Sequence, residues 1–142
     1  MEGFDVKKGT YTIEEREKGK DWGNFLFNEC SYILYVSHLG DTNSKFLNRE
    51  AVQVTVNAPQ SSFIYIRDEK TKKYWDVAGY PTMVPVKRYR CVHGQKFTEI
   101  SSAYEGIDCR ITYAVAPSDT YEIRQVTLKN KTDAVKELDV FS

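Results

Sequence analysis

The run Ile111-Thr112-Tyr113-Ala114-Val115, the break Pro117-Ser118-Asp119 and the run Tyr121-Glu122-Ile123-Arg124-Gln125-Val126-Thr127-Leu128 decide the fold class. Apolar and polar residues alternate along both runs, and the apolar ones are mostly β-branched or aromatic. That is the period-two pattern of half-buried strands, and Pro-Ser-Asp between them is turn chemistry. The same alternation extends outward in both directions. Upstream it appears at Tyr11 and Ile13, Phe25 and Phe27, Tyr32-Leu34-Val36, residues 51–56, Phe63-Ile64-Tyr65-Ile66 and Val84-Val86; downstream it returns at Val135, Leu138 and Val140. Turn signals separate the runs at Asn57-Ala58-Pro59, Asp68-Glu69-Lys70, Gly79-Tyr80-Pro81, Glu105-Gly106 and residues 129–133. Short strands at this spacing predict an all-β antiparallel sandwich, with fewer than about a tenth of the residues helical.

The 142 residues suit one domain, 1–142, in which residues 1–21 form an irregular lead-in or a first strand. Apolar residues make up 41% of the chain and aromatics 13%, enough for a packed core. Twenty Lys and Arg balance 20 Asp and Glu, so no electrostatic footprint points to nucleic acid or an anionic membrane as partner. No run of about eighteen apolar residues is available to span a bilayer as a helix. The charged stretch from Glu14 to Lys20 reads as a solvated loop. Cys30, Cys91 and Cys109 are odd in number and lack Cys-x-x-Cys spacing, and no apolar leader precedes them, which predicts free thiols and a cytoplasmic setting. The strand pattern from Val135 runs to Ser142 without a polar tail, so the chain is expected to be part of a longer protein.

Chemistry-bearing groups are few. Cys91 and His93, two apart, share a strand face, but neither His38 nor the other thiols complete a zinc pattern, and a Cys/His nucleophile needs an activating base in reach. Glu99, Glu105 and Asp108 sit around a hairpin turn, where charge keeps an edge soluble. No glycine-rich phosphate loop is present, and no cofactor is expected. The aromatic grouping Tyr74, Trp75, Tyr80 and Tyr89, with Arg67, Lys87, Arg88 and Arg90 beside it, is a different matter. Sugars stack their apolar faces on such rings while charged groups take the hydroxyls, although core aromatics give the same pattern. Trp22, beside Gly23-Asn24, is a second candidate of this kind.

Three segments in order carry a resemblance. They are Tyr65-Ile66-Arg67-Asp68 followed by Tyr74-Trp75; residues 89–100, with His93-Gly94-Gln95-Lys96-Phe97-Thr98 at their centre; and residues 123–132 running into Leu138-Asp139-Val140-Phe141-Ser142. Together they resemble the amino-terminal domain of glycoside hydrolase family 94, the cellobiose and chitobiose phosphorylases. Lys96-Phe97 stands where that family usually has Gly-Tyr, and residues 39–50 carry a single arginine where it is usually rich in Arg and Tyr. The resemblance implies a super-sandwich of the mutarotase-like kind, followed by a helical linker, an (α/α)6 barrel and a small β domain. It also implies a homodimer, a barrel aspartate acting as general acid, and inorganic phosphate as co-substrate in an inverting phosphorolysis. None of the implied catalytic residues falls within this sequence.

The expectation is therefore a non-catalytic domain whose partners are carbohydrate and the rest of its own enzyme. Two readings compete with it: a stand-alone carbohydrate-binding sandwich without enzymatic activity, and a mutarotase-like sandwich with its own acid/base pair. Trp22, Tyr74, Trp75 and Tyr80 are expected at loop-adjacent, exposed positions, with Arg67 and His93 at the same edge, forming a sugar-binding or interface surface.

Overall fold

A computed structural model describes residues 2–16, 21–47, 53–55 and 62–142. Its thirteen strands are β1 (Gly3–Asp5), β2 (Thr10–Ile13), β3 (Gly23–Phe27), β4 (Tyr32–Ser37), β5 (Thr42–Leu47), β6 (Gln53–Thr55), β7 (Tyr65–Asp68), β8 (Tyr74–Asp76), β9 (Lys87–Gly94), β10 (Thr98–Tyr104), β11 (Ile107–Val115), β12 (Glu122–Asn130) and β13 (Leu138–Phe141). No helix occurs among the described residues, as the period-two pattern predicts. The lead-in holds the β1–β2 hairpin. Residues 17–20 of the charged stretch, residues 51, 52 and 56 of the apolar run 51–56, and the Asn57-Ala58-Pro59 turn lie outside the described residues.

The strands form three antiparallel sheets: β1-β2-β9-β10-β11-β12, β3-β4-β5-β6 and β13-β7-β8. The first two face one another, β11 crossing β3 and β4 while β9 meets β3. Alternation explains this packing: on β11 Ile107, Cys109, Ile111 and Tyr113 are buried, and on β4 Tyr32, Leu34 and Val36 are, while the residues between them are partly or fully open. These side chains join Ile13, Leu26, Ile100, Ile66 and Trp75 in a single core. Dense burial of that kind supplies most of the free energy that opposes chain entropy.

The three-stranded sheet lays its inner face on the same core. Trp75 of β8 meets Tyr104 of β10 at 5.4 Å between ring centroids, and Ser102 of β10 donates a hydrogen bond to Val77 O. Register then fixes what the outer face presents. β7 pairs with β13 so that Arg67 faces Asp139 and Tyr65 faces Phe141; it pairs with β8 so that Arg67 faces Tyr74 and Tyr65 faces Asp76. Two cross-strand rows result, Tyr74–Arg67–Asp139 and Asp76–Tyr65–Phe141, whose members are partly or fully open apart from Asp76, which is buried.

Candidate carbohydrate-facing surface

The outer face of the three-stranded sheet is built from these two rows and one loop. Tyr65 and Phe141 stack with centroids 5.5 Å apart and planes 24° apart. Phe63 tilts against Tyr65 at 6.3 Å and meets Tyr80 edge-on at 6.0 Å. A shallow depression of about 380 Å³ is lined by Tyr65, Arg67, Tyr74, Pro81, Thr82 and Phe141. Tyr74 is 56% exposed and Phe141 45% exposed, so ring faces are open to an incoming molecule.

The loop after β8 is fastened by hydrogen bonds. The buried Asp76 carboxylate accepts from the Ala78 and Tyr80 N–H groups at 2.9 and 3.0 Å and from Thr82 Oγ1 at 2.8 Å. Burial raises the Asp76 pKa above the usual carboxylate value, and these hydrogen bonds oppose the shift. Arg16 Nη1 donates to Val84 O at 3.1 Å from the other side. The Tyr80-Pro81 peptide is cis.

The rim of the face is ionic. Arg67 donates to Asp139 at 2.9 Å and to Glu69, and Lys72 donates to Glu69 at 2.6 Å. Two cations and two carboxylates thus neutralise one another.

Of the sequence candidates, Arg67, Tyr74 and Tyr80 belong to this surface. Trp75 does not, and its expected exposure is corrected. It has no solvent exposure, because alternation along β8 turns it inward when Tyr74 turns outward. Its indole Nε1–H has no acceptor among the described residues. Tyr89 is likewise core, its hydroxyl donating to His38 O.

His93 and Trp22 lie elsewhere. His93 is buried, its Nδ1 is 3.0 Å from Thr98 Oγ1, and Cys91 Sγ is 3.6 Å from Nε2. Burial, with a smaller contribution from nearby His38, lowers the imidazole pKa to about 4. Burial also pushes the Cys91 thiol up to about 12, so the pair holds no thiolate at neutral pH and packs as a neutral group. Trp22 stacks on Tyr11 at 4.9 Å, and its backbone N–H and C=O both meet the His38 ring. Neither residue reaches the aromatic face. Among the described residues no group of three or more His, Cys, Asp or Glu side chains could hold a metal ion.

The carboxylates around the β10–β11 turn are all engaged. Glu105 takes Lys73 at 2.9 Å, Asp108 takes Arg88 and Lys131, and Glu99 faces Arg110 at 3.9 Å.

The motif residues acquire structural roles. Gly94 lets the β9–β10 hairpin close, since a Cβ there would lie 2.4 Å from the Phe97 ring. Asn24 Nδ2 ties that hairpin to β3 through Gly94 O at 2.8 Å. Asn130 Oδ1 accepts from the Thr132 N–H at 2.9 Å while its Nδ2 donates to Ala134 O at 2.7 Å, shaping the turn before β13.

A family model described as glycosyl hydrolase 94, supersandwich domain, matches residues 9–142. The chain belongs to this family. Among curated relatives, an N,N′-diacetylchitobiose phosphorylase of Vibrio proteolyticus is 27% identical over 98% of this chain and 18% of its own length. A solabiose phosphorylase of Paenibacillus borealis is 30% identical over 84% of this chain and 16% of its own. A 3-O-beta-D-glucopyranosyl-beta-D-glucuronide phosphorylase of the same organism is 26% identical over 93% of this chain and 17% of its own. The chain therefore spans less than a fifth of the length of these relatives. The family's amino-terminal sandwich accounts for the matched residues from Gly9 onward, including the β2 strand that precedes the sequence motifs.

Sequence reading missed Tyr65 and Phe141 as a site pair. Each sits in a strand run, and nothing in the sequence reveals that β13 pairs with β7 in the register that stacks the two rings.

Proposed function

We propose that this chain is the non-catalytic sandwich of an inverting disaccharide phosphorylase. In such an enzyme phosphate oxygen attacks the anomeric carbon, the glycosidic C–O bond breaks, and a carboxylic acid outside these residues protonates the departing oxygen. The match of residues 9–142 to the supersandwich model carries this reading, supported by relatives that are named phosphorylases and are far longer than this chain. The sandwich contributes surfaces: the aromatic face of β7, β8 and β13 contacts carbohydrate, and other faces meet the barrel and the second subunit of a cytoplasmic homodimer.

The test is phosphorolysis. The 142-residue chain, incubated with inorganic phosphate and cellobiose, laminaribiose or N,N′-diacetylchitobiose, is expected to release no glycosyl 1-phosphate, whereas a longer gene product carrying the barrel consumes phosphate with one such sugar. Turnover by the 142-residue chain alone, or no phosphorolysis by the longer protein with any β-linked disaccharide, would overturn the proposal.

A further inference from the structure

The aromatic face has a chemistry narrower than general sugar contact. Its floor is ring surface: the stacked pair Tyr65–Phe141 with Tyr74 and Pro81 beside it. The depression of about 380 Å³ falls in the range of small-molecule sites, about 300–1,000 Å³. The apolar side of a pyranose ring presents C–H groups that suit such a floor, and the Tyr65 and Tyr74 hydroxyls offer donors at its margin.

The rim decides which sugars suit it. Among the described residues Arg67 is the only cation lining the depression, and its guanidinium is already held by Glu69 and Asp139. Those carboxylates keep free lone pairs that accept hydroxyl protons. With Arg67 and Lys72 matched by Glu69 and Asp139, the rim is balanced and offers an incoming carboxylate no unmatched cation. A neutral sugar needs none.

Resting on the reading of this chain as part of a disaccharide phosphorylase, we infer that the outer face of β7, β8 and β13 is an ancillary site for a neutral pyranose ring of an oligosaccharide. The ring stacks on Tyr65, Tyr74 and Phe141, and uronates are disfavoured because the balanced rim leaves no unmatched cation for their carboxylate. The open ring faces and the closed, charge-balanced rim carry this choice of occupant.

The test is an amide-resolved NMR titration of the 142-residue chain with cellobiose, with N,N′-diacetylchitobiose and with a glucuronide-containing disaccharide. Saturable shifts confined to β7, β8, β13 and residues 80–82 are expected with the neutral sugars, with the glucuronide at least about tenfold weaker. Tyr74→Ala is expected to weaken neutral-sugar binding about tenfold without moving the melting temperature, and Tyr74→Phe to retain most of it. Phe25→Ala, an exposed ring on the other sheet, leaves binding unchanged. No saturable shift with either neutral sugar overturns the inference and assigns the face to contact with another part of the enzyme. Binding that ignores Tyr74→Ala, or glucuronide binding as tight as cellobiose, overturns it as well. Phosphorolysis by the longer gene product is scored separately, so an active phosphorylase with a sugar-blind face sinks this inference alone.

Discussion

Tyr74 and Trp75 are chain neighbours with opposite surroundings, one 56% exposed and the other fully enclosed. Truncating Trp75 to Ala empties a core site, and the expected loss is about 3–5 kcal/mol in chemical denaturation. Trp75→Phe should cost less than half as much, because it keeps a ring against Tyr104 and removes an indole N–H that has no acceptor among the described residues. Equal costs for the two variants would mean that the indole N–H is hydrogen-bonded in the folded chain. His93 gives the molecule an acid-sensitive point. Its folded pKa, about 4, lies below the ordinary imidazole value of 6.5, so between these values the unfolded chain binds the extra proton. Stability is then lost as pH falls from 6.5 towards 4, by about 3 kcal/mol across that window. The Asp76 carboxyl, raised by burial, contributes the opposite slope, losing stability as pH rises through its folded value. Comparison with His93→Gln isolates the imidazole: the variant's stability should change less over pH 4–6.5 than that of the unaltered chain, and parallel curves would refute the assignment.

At the scale of elements, the Arg67-Asp68 pair works as a latch between β7 and β13. The strand alternation turns Asp68 inward, where it accepts from the Lys70 and Thr71 N–H groups and from Lys136 at 2.7 Å, while Arg67 on the other face reaches Asp139. These donors, Lys136 first, hold the Asp68 carboxyl down to about 2. Its stabilising contribution is present above the unfolded value of 3.8 and is lost as pH falls from there towards 2. Asp68→Asn should loosen the strand it fastens. Amide hydrogen exchange is expected to accelerate along Leu138–Phe141 while the β10–β11 hairpin keeps its protection. Unchanged exchange in β13 would mean that its ladder with β7 suffices without the carboxylate. The sequence shows Arg67-Asp68 as a family motif, but the partner that explains the Asp is a lysine reached only through the fold. His93-Gly94 behaves in the same way. Its spacing is readable, yet its role as a hairpin closure depends on Phe97 folding back onto Gly94.

Across the whole molecule, β11 and β12 could be read from alternation, whereas β9 and β10 carry no alternating run of that kind. The Glu105-Gly106 hairpin turn could be read from its own residues, since local pairing needs only neighbouring residues. Gly106 takes φ +79° there, as a tight hairpin demands. The assembly into three sheets was not readable in this way. Period two tells which residues of a strand share a face, but it carries no information about which distant strand lies alongside, and that pairing decided the fate of Trp75 and the meeting of Tyr65 with Phe141. The six-stranded sheet makes the same point, for it joins the first two strands of the chain to the last long meander, with Ile13 against Cys91. That long-range seam bears on synthesis. Translation proceeds at about 5–20 residues per second, so β2 waits for on the order of ten seconds before β9 has been made. During that interval its apolar face and open edge have no sheet to join, while β10, β11 and β12 each find a partner as soon as they emerge. The amino-terminal hairpin is thus the piece of the six-stranded sheet that waits longest for its partner, and it is the segment of that sheet for which a nascent-chain chaperone has the longest time to act.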